Sequence, residues 1–549
     1  MNLFFIALSY PDYHRKKPMM RLDFRKSVAS VLCSTLLLSS MLSPIAHADG
    51  LNNLPSLGDA GGAELSVQDE RRLGALIMKD YRAFGAVNND LEITAYISRL
   101  GNKIVQAASE SPSNFEFFLV TDKSVNAFAM PGGYIGVHTG LIAASQTESE
   151  LASVLAHEVG HVTQRHIARR FGQQKQTSLV ATAAMIAALL VAGSNPQAAS
   201  GLMAAGAGYS IDQQLAFSRD AEREADRVGF LTLQQAGFDT QGMVDFFGRL
   251  QTASRLYENN APSYLRTHPL TTERIADIRN RAGLESSSNR SQAQSSLEFE
   301  LIRVKSIVFA ERSNQQLADR LRTFESPNEQ EGIKDPVALM YGRSLVLNSM
   351  GRKQEALEAS EKAIERFKSG QSVVKKTEVP LLLQSQRMRM AMDVSLPLAS
   401  APMDQRPVRE RSALNAQEKA TLGQLTSLRN EFRSEMSVRL LYAEGLQRLG
   451  LFKESDAYLK ELSQAYRSVP EVFDLLAQSA LALRKPAEHH MALAQSYNAR
   501  QAYLPAIEQA EIAKRYARDN YYLLAEIDAK QREYKRKADA EREFAKFGN

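Results

Sequence analysis

His157, Glu158 and His161 fall in the stretch LASVLAHEVGHVTQRHIARR, residues 151–170, and have the types and spacing to hold a cation and work on water beside it. The chain carries nine histidines in 549 residues, so two of them four apart around a glutamate call for a reason. On a helix, residues four apart lie about 40° from each other around the axis, so His157 and His161 point the same way and can bind one ion. Glu158 is turned about 100° from His157 and about 60° from His161, beside the ion and free to take a proton from water. His166 follows His157 by nine residues, so it projects to the opposite side, about 180° away. It is expected to be structural or solvent-facing.

A hydrolytic zinc takes three protein ligands and keeps one position for water, so a third ligand is required. The only cysteine, Cys33, lies in an N-terminal apolar run, which leaves histidine and carboxylate to serve. Beyond that region the other histidines are His138, His268, His489 and His490. The better candidate lies in FSRDAEREADRVGF, residues 217–230, where Glu222 and Asp226 again stand four apart. Glu222 can ligate while Asp226 orients a ligating imidazole from behind. Glu224 points about 200° away from Glu222. The competing reading of this helix is a solvated acidic face paired with Arg219, Arg223 and Arg227, and for the helix taken alone it is the stronger of the two.

These helices need a frame. FEFFLVTDKSVNAFAMPGGYIGVHTGLI predicts a strand over 115–120, a second over 127–130, a turn at Gly132-Gly133 and a third strand over 134–138. His138 then belongs to a small sheet, not to the metal. An exposed sheet edge beside the metal would let an extended substrate add as a strand.

The length suits two or three domains. Residues 1–48 read as a cleavable signal peptide, with a basic start at Arg21–Lys26, an apolar run over 28–42 and Ala46-His47-Ala48 at the exit. That leader holds +4 of the formal net charge of +5, leaving about +1 for the rest, and nucleic acid is not an expected partner. The unusual motifs all lie in 49–285. SSSNRSQAQSS marks a linker at 286–300, and 301–549 is dominated by helix formers in pairs about the mid-thirties apart, as around Gly351 and Gly450. Small residues where helices cross resemble tetratricopeptide units, with generic helical hairpins as the alternative. Residues 395–410 are expected to form an exposed loop. SLVATAAMIAALLVAG, residues 178–193, is too short for the ~20 residues of a bilayer span, so membrane contact is at most peripheral.

NAFAMPGG (126–133), HEVGH (157–161) and EREAD (222–226), in this order, resemble the gluzincin metalloproteases that include the CAAX prenyl proteases and the heat-shock protease HtpX. The expected fold is mainly α (α+β): a zincin metalloprotease domain with a small β-sheet, followed by α-helical tetratricopeptide-like repeats. The resemblance implies one Zn2+ per subunit held by His157, His161 and Glu222, with Glu158 as general base. It also implies that His268, in LRTHPLTTER, is a fourth zinc ligand that blocks the water position until a loop moves, and that Arg274 steadies the developing oxyanion. The alternative is that His268 packs in a proline-containing turn and Arg274 pairs with a surface acid. Members with a leader, a soluble protease domain and helical repeats are periplasmic. They imply misfolded or unassembled outer-membrane proteins and the outer-membrane assembly machinery as partners, either through degradation or through chaperone-like assembly with a normally self-inhibited protease.

Overall fold

The computed structural model describes residues 66–83, 85–108, 114–173, 217–256, 263–283, 295–326, 332–372, 379–396 and 401–546. The expected leader and the apolar stretch 178–193 lie outside these residues.

The sheet has four strands in the order β1-β2-β4-β3, with β1 at Val87–Asn88, β2 at Glu116–Val120, β3 at Ala127–Met130 and β4 at Tyr134–His138. β2 runs parallel to β4 with Phe118 opposite Gly136, and β3 is antiparallel to β4 with Phe128 opposite Gly136. The three strands expected from sequence are present; β1, only two residues long, gave no signal. EFFLV has no polar alternation because both faces are covered. Phe117, Leu119, Ala127, Ile135 and Val137 face a core built with helix α2 (Leu91–Ala107). Phe118, Val120, Phe128, Met130 and Tyr134 face helix α1 (Val67–Ala83).

Helix α3 (Thr139–Ala144) leads to α4 (Glu148–Thr163), which is capped by the Thr147 hydroxyl accepting from the Glu150 amide and has nearly every residue buried. A short α5 (His166–Gln173) follows, then α6 (Arg219–Gln235), α7 (Gln241–Leu256), α8 (Ser263–Thr267) and α9 (Thr272–Gly283). α4 and α6 lie against each other through glycine. A Cβ on Gly229 would stand 3.0 Å from the His157 Cα, and one on Gly160 would stand 3.0 Å from the Ala225 carbonyl oxygen. Among the described residues no helix is long and apolar enough to cross a membrane.

Beyond residue 295 the chain is helical: α10 (Leu297–Phe309), α11 (Asn314–Glu325), α12 (Pro336–Ser349), α13 (Lys353–Lys368), α14 (Leu381–Ser395), α15 (Ala416–Glu431), then α16 to α21 from Met436 to Lys546. Gly351 and Gly450 take left-handed φ of 77° at the turns between paired helices. Arg484 (φ 56°) and Gln501 (φ 61°) fill the same place in later pairs. The expected linker is shorter than its bounds, because 297–300 already belong to α10. Packing also runs across it: Leu297, Phe299, Leu301, Ile302 and Val304 share one core with α2, α4 and α12 to α14. Residues 401–415 form a largely exposed connection with two short turns, fastened by the Arg409 amide donating to the Gly450 carbonyl at 2.9 Å.

Candidate metal centre

α4 delivers His157, Glu158 and His161, all fully buried; the first turn of α6 delivers Glu222 and, one turn on, Asp226. The end of α8 supplies His268 and the first turn of α9 supplies Arg274, each nearly buried. The Ser218 hydroxyl caps α6 by accepting from the Ala221 amide, and a carboxylate at 222 then sits where the helix dipole favours negative charge.

His161 Nε2 lies 3.0 Å from His157 Nε2 and 3.3 Å from Glu222 Oε1. His268 Nδ1 completes the group, 3.3 Å from His157 Nε2 and 3.0 Å from Glu222 Oε1. One ligand atom from each of these four residues falls within 4.8 Å of all the others. Both Glu158 oxygens are buried without a hydrogen-bond partner. Three imidazoles and a carboxylate closing on one buried point, with the Glu158 carboxylate unpartnered beside them, fit a divalent metal of the zinc type.

His157 Nδ1 lies 3.0 Å from Asp226 Oδ1, off the in-line hydrogen-bond direction. Burial opposes charge on the His157 ring, but Asp226 and Glu222 overcome it and lift the ring to about 9. His161 is pushed well down by burial, reinforced by the neighbouring His157 and His268. Burial raises Glu222, yet the three imidazoles outweigh it and hold the carboxyl well below the usual range.

Arg274 is held among interior acids. Its Nε and Nη2 donate to Asp226 at 2.6 and 2.8 Å, and its Nη1 donates to the Pro269 carbonyl at 2.7 Å and meets Glu222 Oε2 at 2.6 Å. All three nitrogens are engaged, so an oxyanion role requires these ion pairs to open. The acids it pairs with are interior, not surface groups. His138 closes β4 and bonds the Ser124 hydroxyl at 2.9 Å, inside the sheet as expected.

For His166 the structural alternative holds, but the expected direction away from the site does not. His166 is buried, with Nδ1 2.8 Å from His161 Nδ1. The wheel argument assumed one continuous helix, but α4 stops at Thr163 and Arg165 turns through a left-handed φ of 51°. Sequence also gave no hint of two rings over the site: Phe217 stacks on His161 at 3.9 Å and Tyr264 on His268 at 4.5 Å.

The model of "Peptidase family M48" matches residues 92–282, from α2 to the end of α9 and so through every residue of this cluster. The chain is 41% identical to a Vibrio cholerae relative over 45% of its length and 52% of the relative. It is 33% identical to the β-barrel assembly-enhancing protease of Escherichia coli K12 over 59% of the chain and 66% of that protein. With the β-barrel assembly-enhancing protease of Yersinia pestis it shares 34% over 60% of the chain and 67% of the relative. The chain belongs to peptidase family M48. The alignments span about half of the Vibrio relative and about two thirds of the other two. The M48 match ends at 282, before the helices from α10 onward that share its core.

Proposed function

We propose that the chain is a zinc-dependent endopeptidase of the periplasm, with one Zn2+ per subunit, that degrades misassembled outer-membrane proteins and aids their assembly. The observation that carries this reading is the buried convergence of His157, His161 and Glu222 with the unpartnered Glu158 carboxylate beside it. Bound zinc supplies Lewis acidity toward a peptide carbonyl and toward water. Glu158 takes the proton of the attacking water and returns it to the leaving amine as the C–N bond breaks. Asp226 steadies the His157 ring, and Arg274 fixes Asp226 and Glu222 together. β3 is an outer strand of the sheet and packs against α4, a place for an extended substrate to pair along its backbone. The names of the relatives favour β-barrel proteins as clients, with the repeats as docking surface for them or for the assembly machinery.

Zinc analysis and cleavage of a casein-type substrate by wild type and Glu158→Gln test this. The variant should keep its zinc and lose about 100-fold or more in rate. Cleavage by the variant at the wild-type rate would sink the reading.

One contact favours a second reading, a chaperone or assembly factor whose protease is normally silent. His268 joins the ligand cluster through Nδ1 while its Nε2 stands 3.5 Å from Glu158 Oε1, covering ligand position and base at once. His268→Ala should then cleave faster than wild type; an equal or slower rate removes the gate. Full rescue of outer-membrane assembly by Glu158→Gln would make the chaperone role the main one.

A further inference from the structure

The glutamate of EREAD that turns away from the metal and the histidine that follows the broken helix meet behind His161. His166 Nε2 is 3.0 Å from Glu224 Oε2, and Arg169 Nη2 donates to the same oxygen at 2.7 Å. We infer that His166 and Glu224 are positioning residues for the metal ligand His161, an inference that rests on the metal site proposed above.

The hydrogen-bond directions follow from the end of the chain of contacts. A carboxylate only accepts, so the His166 proton sits on Nε2 and leaves Nδ1 as an acceptor. His161 Nδ1–H then donates to it at 2.8 Å. That fixes the His161 tautomer with the lone pair of Nε2 aimed at His157, Glu222 and His268. The two ligand histidines of α4 are thus supported from one motif in two ways. Asp226 reaches His157 directly, whereas Glu224, about 200° round α6 from its neighbours, reaches His161 through an interposed imidazole. The helix break makes this possible. Arg165, at its left-handed φ, is tied by its Nε to Glu70 of α1 at 2.9 Å, and the chain restarts with His166 turned back under His161.

The test compares full-length holoenzymes. His166→Phe keeps the bulk but offers no acceptor; His166→Gln restores an acceptor and a donor. Zinc affinity, read by competition with a chromophoric chelator, should fall about 10- to 100-fold in His166→Phe and recover to within about threefold in His166→Gln. The visible bands of the cobalt-substituted protein should shift in the first variant and return in the second, which a mere packing role would not produce. A folded His166→Phe that holds zinc within about threefold of wild type overturns the inference. If that variant does not fold, Glu224→Ala carries the test: about tenfold weaker zinc is expected, and unchanged affinity overturns it. A wild-type chain that binds no zinc would instead bring down the metal site itself.

Discussion

The carboxyl of Asp226 is shared between a guanidinium and an imidazole, and this sharing sets what each neighbour can do. Burial raises its pKa, but Arg274 and then His157 outweigh that and hold it below the usual range, so it stays an anion behind His157. Asp226→Asn keeps the shape and removes the charge that both partners depend on. Zinc affinity should drop about 10- to 100-fold while the variant stays folded; chelator competition showing wild-type affinity would contradict this role. At this scale the sequence was informative where the chemistry is helical. His157 and His161 share one helix and Glu222 and Asp226 another, so a four-residue spacing was enough to pair them. His166 was misplaced because a wheel cannot see the left-handed residue that interrupts it. The engagement of Arg274 was hidden for a different reason: its partners are 48 and 52 residues earlier in the chain, and no local pattern connects them.

Two helices crossing at glycine determine whether these residues meet. The α4–α6 contact is tight for a methyl group: a Cβ at Gly229 would stand 3.0 Å from both the Cα and the amide nitrogen of His157, backbone atoms that move only with their helix. Gly229→Ala must therefore push α6 away from α4 and carry Glu222 and Asp226 with it. Overpacking of this kind costs about 1–3 kcal/mol. The expected outcome is a lower melting temperature together with weaker zinc binding, read by calorimetry and chelator competition; wild-type values for both would show that the helices can separate without disturbing the site. Such an approach was not legible beforehand, since a glycine inside a helical pattern reads only as a weak point. The strands were legible because a short apolar run bounded by Asp, Pro and Gly has few other fates.

Across the whole molecule, the peptidase elements and the first of the later helices are one structure. α10 buries seven apolar residues (Leu297, Phe299, Leu301, Ile302, Val304, Ile307 and Val308), worth roughly 10 kcal/mol or more at about 1.5–3 kcal/mol each. A Ser/Asn/Gln run signals a surface crossing, but composition cannot say whether the next helix packs back on the core just left. A buried ion cluster fastens the same junction. Lys305 of α10 reaches Glu92 and Asp90 at the start of α2 at 2.5 and 2.7 Å, and the Ser385 hydroxyl of α14 donates to Glu92 at 2.7 Å. Burial raises Glu92, but the charges of Lys305 and Arg389 overcome it and hold the carboxyl well below its ordinary value. A depressed carboxyl stabilises the fold above the unfolded pKa of about 4.3, and that contribution is lost as pH falls below it. The urea midpoint of wild type should fall more steeply between pH 6 and pH 3 than that of Glu92→Gln; parallel curves would show that Glu92 is not the linked group.

The ring of Phe217 lies flat on His161, in a chain that contains no tryptophan. In Phe217→Trp the indole would be the sole tryptophan emitter, in face contact with the His161 imidazole. Its colour and lifetime would follow each departure of the ring from the cluster, so a single fluorescence trace could time access to the buried centre against peptide cleavage.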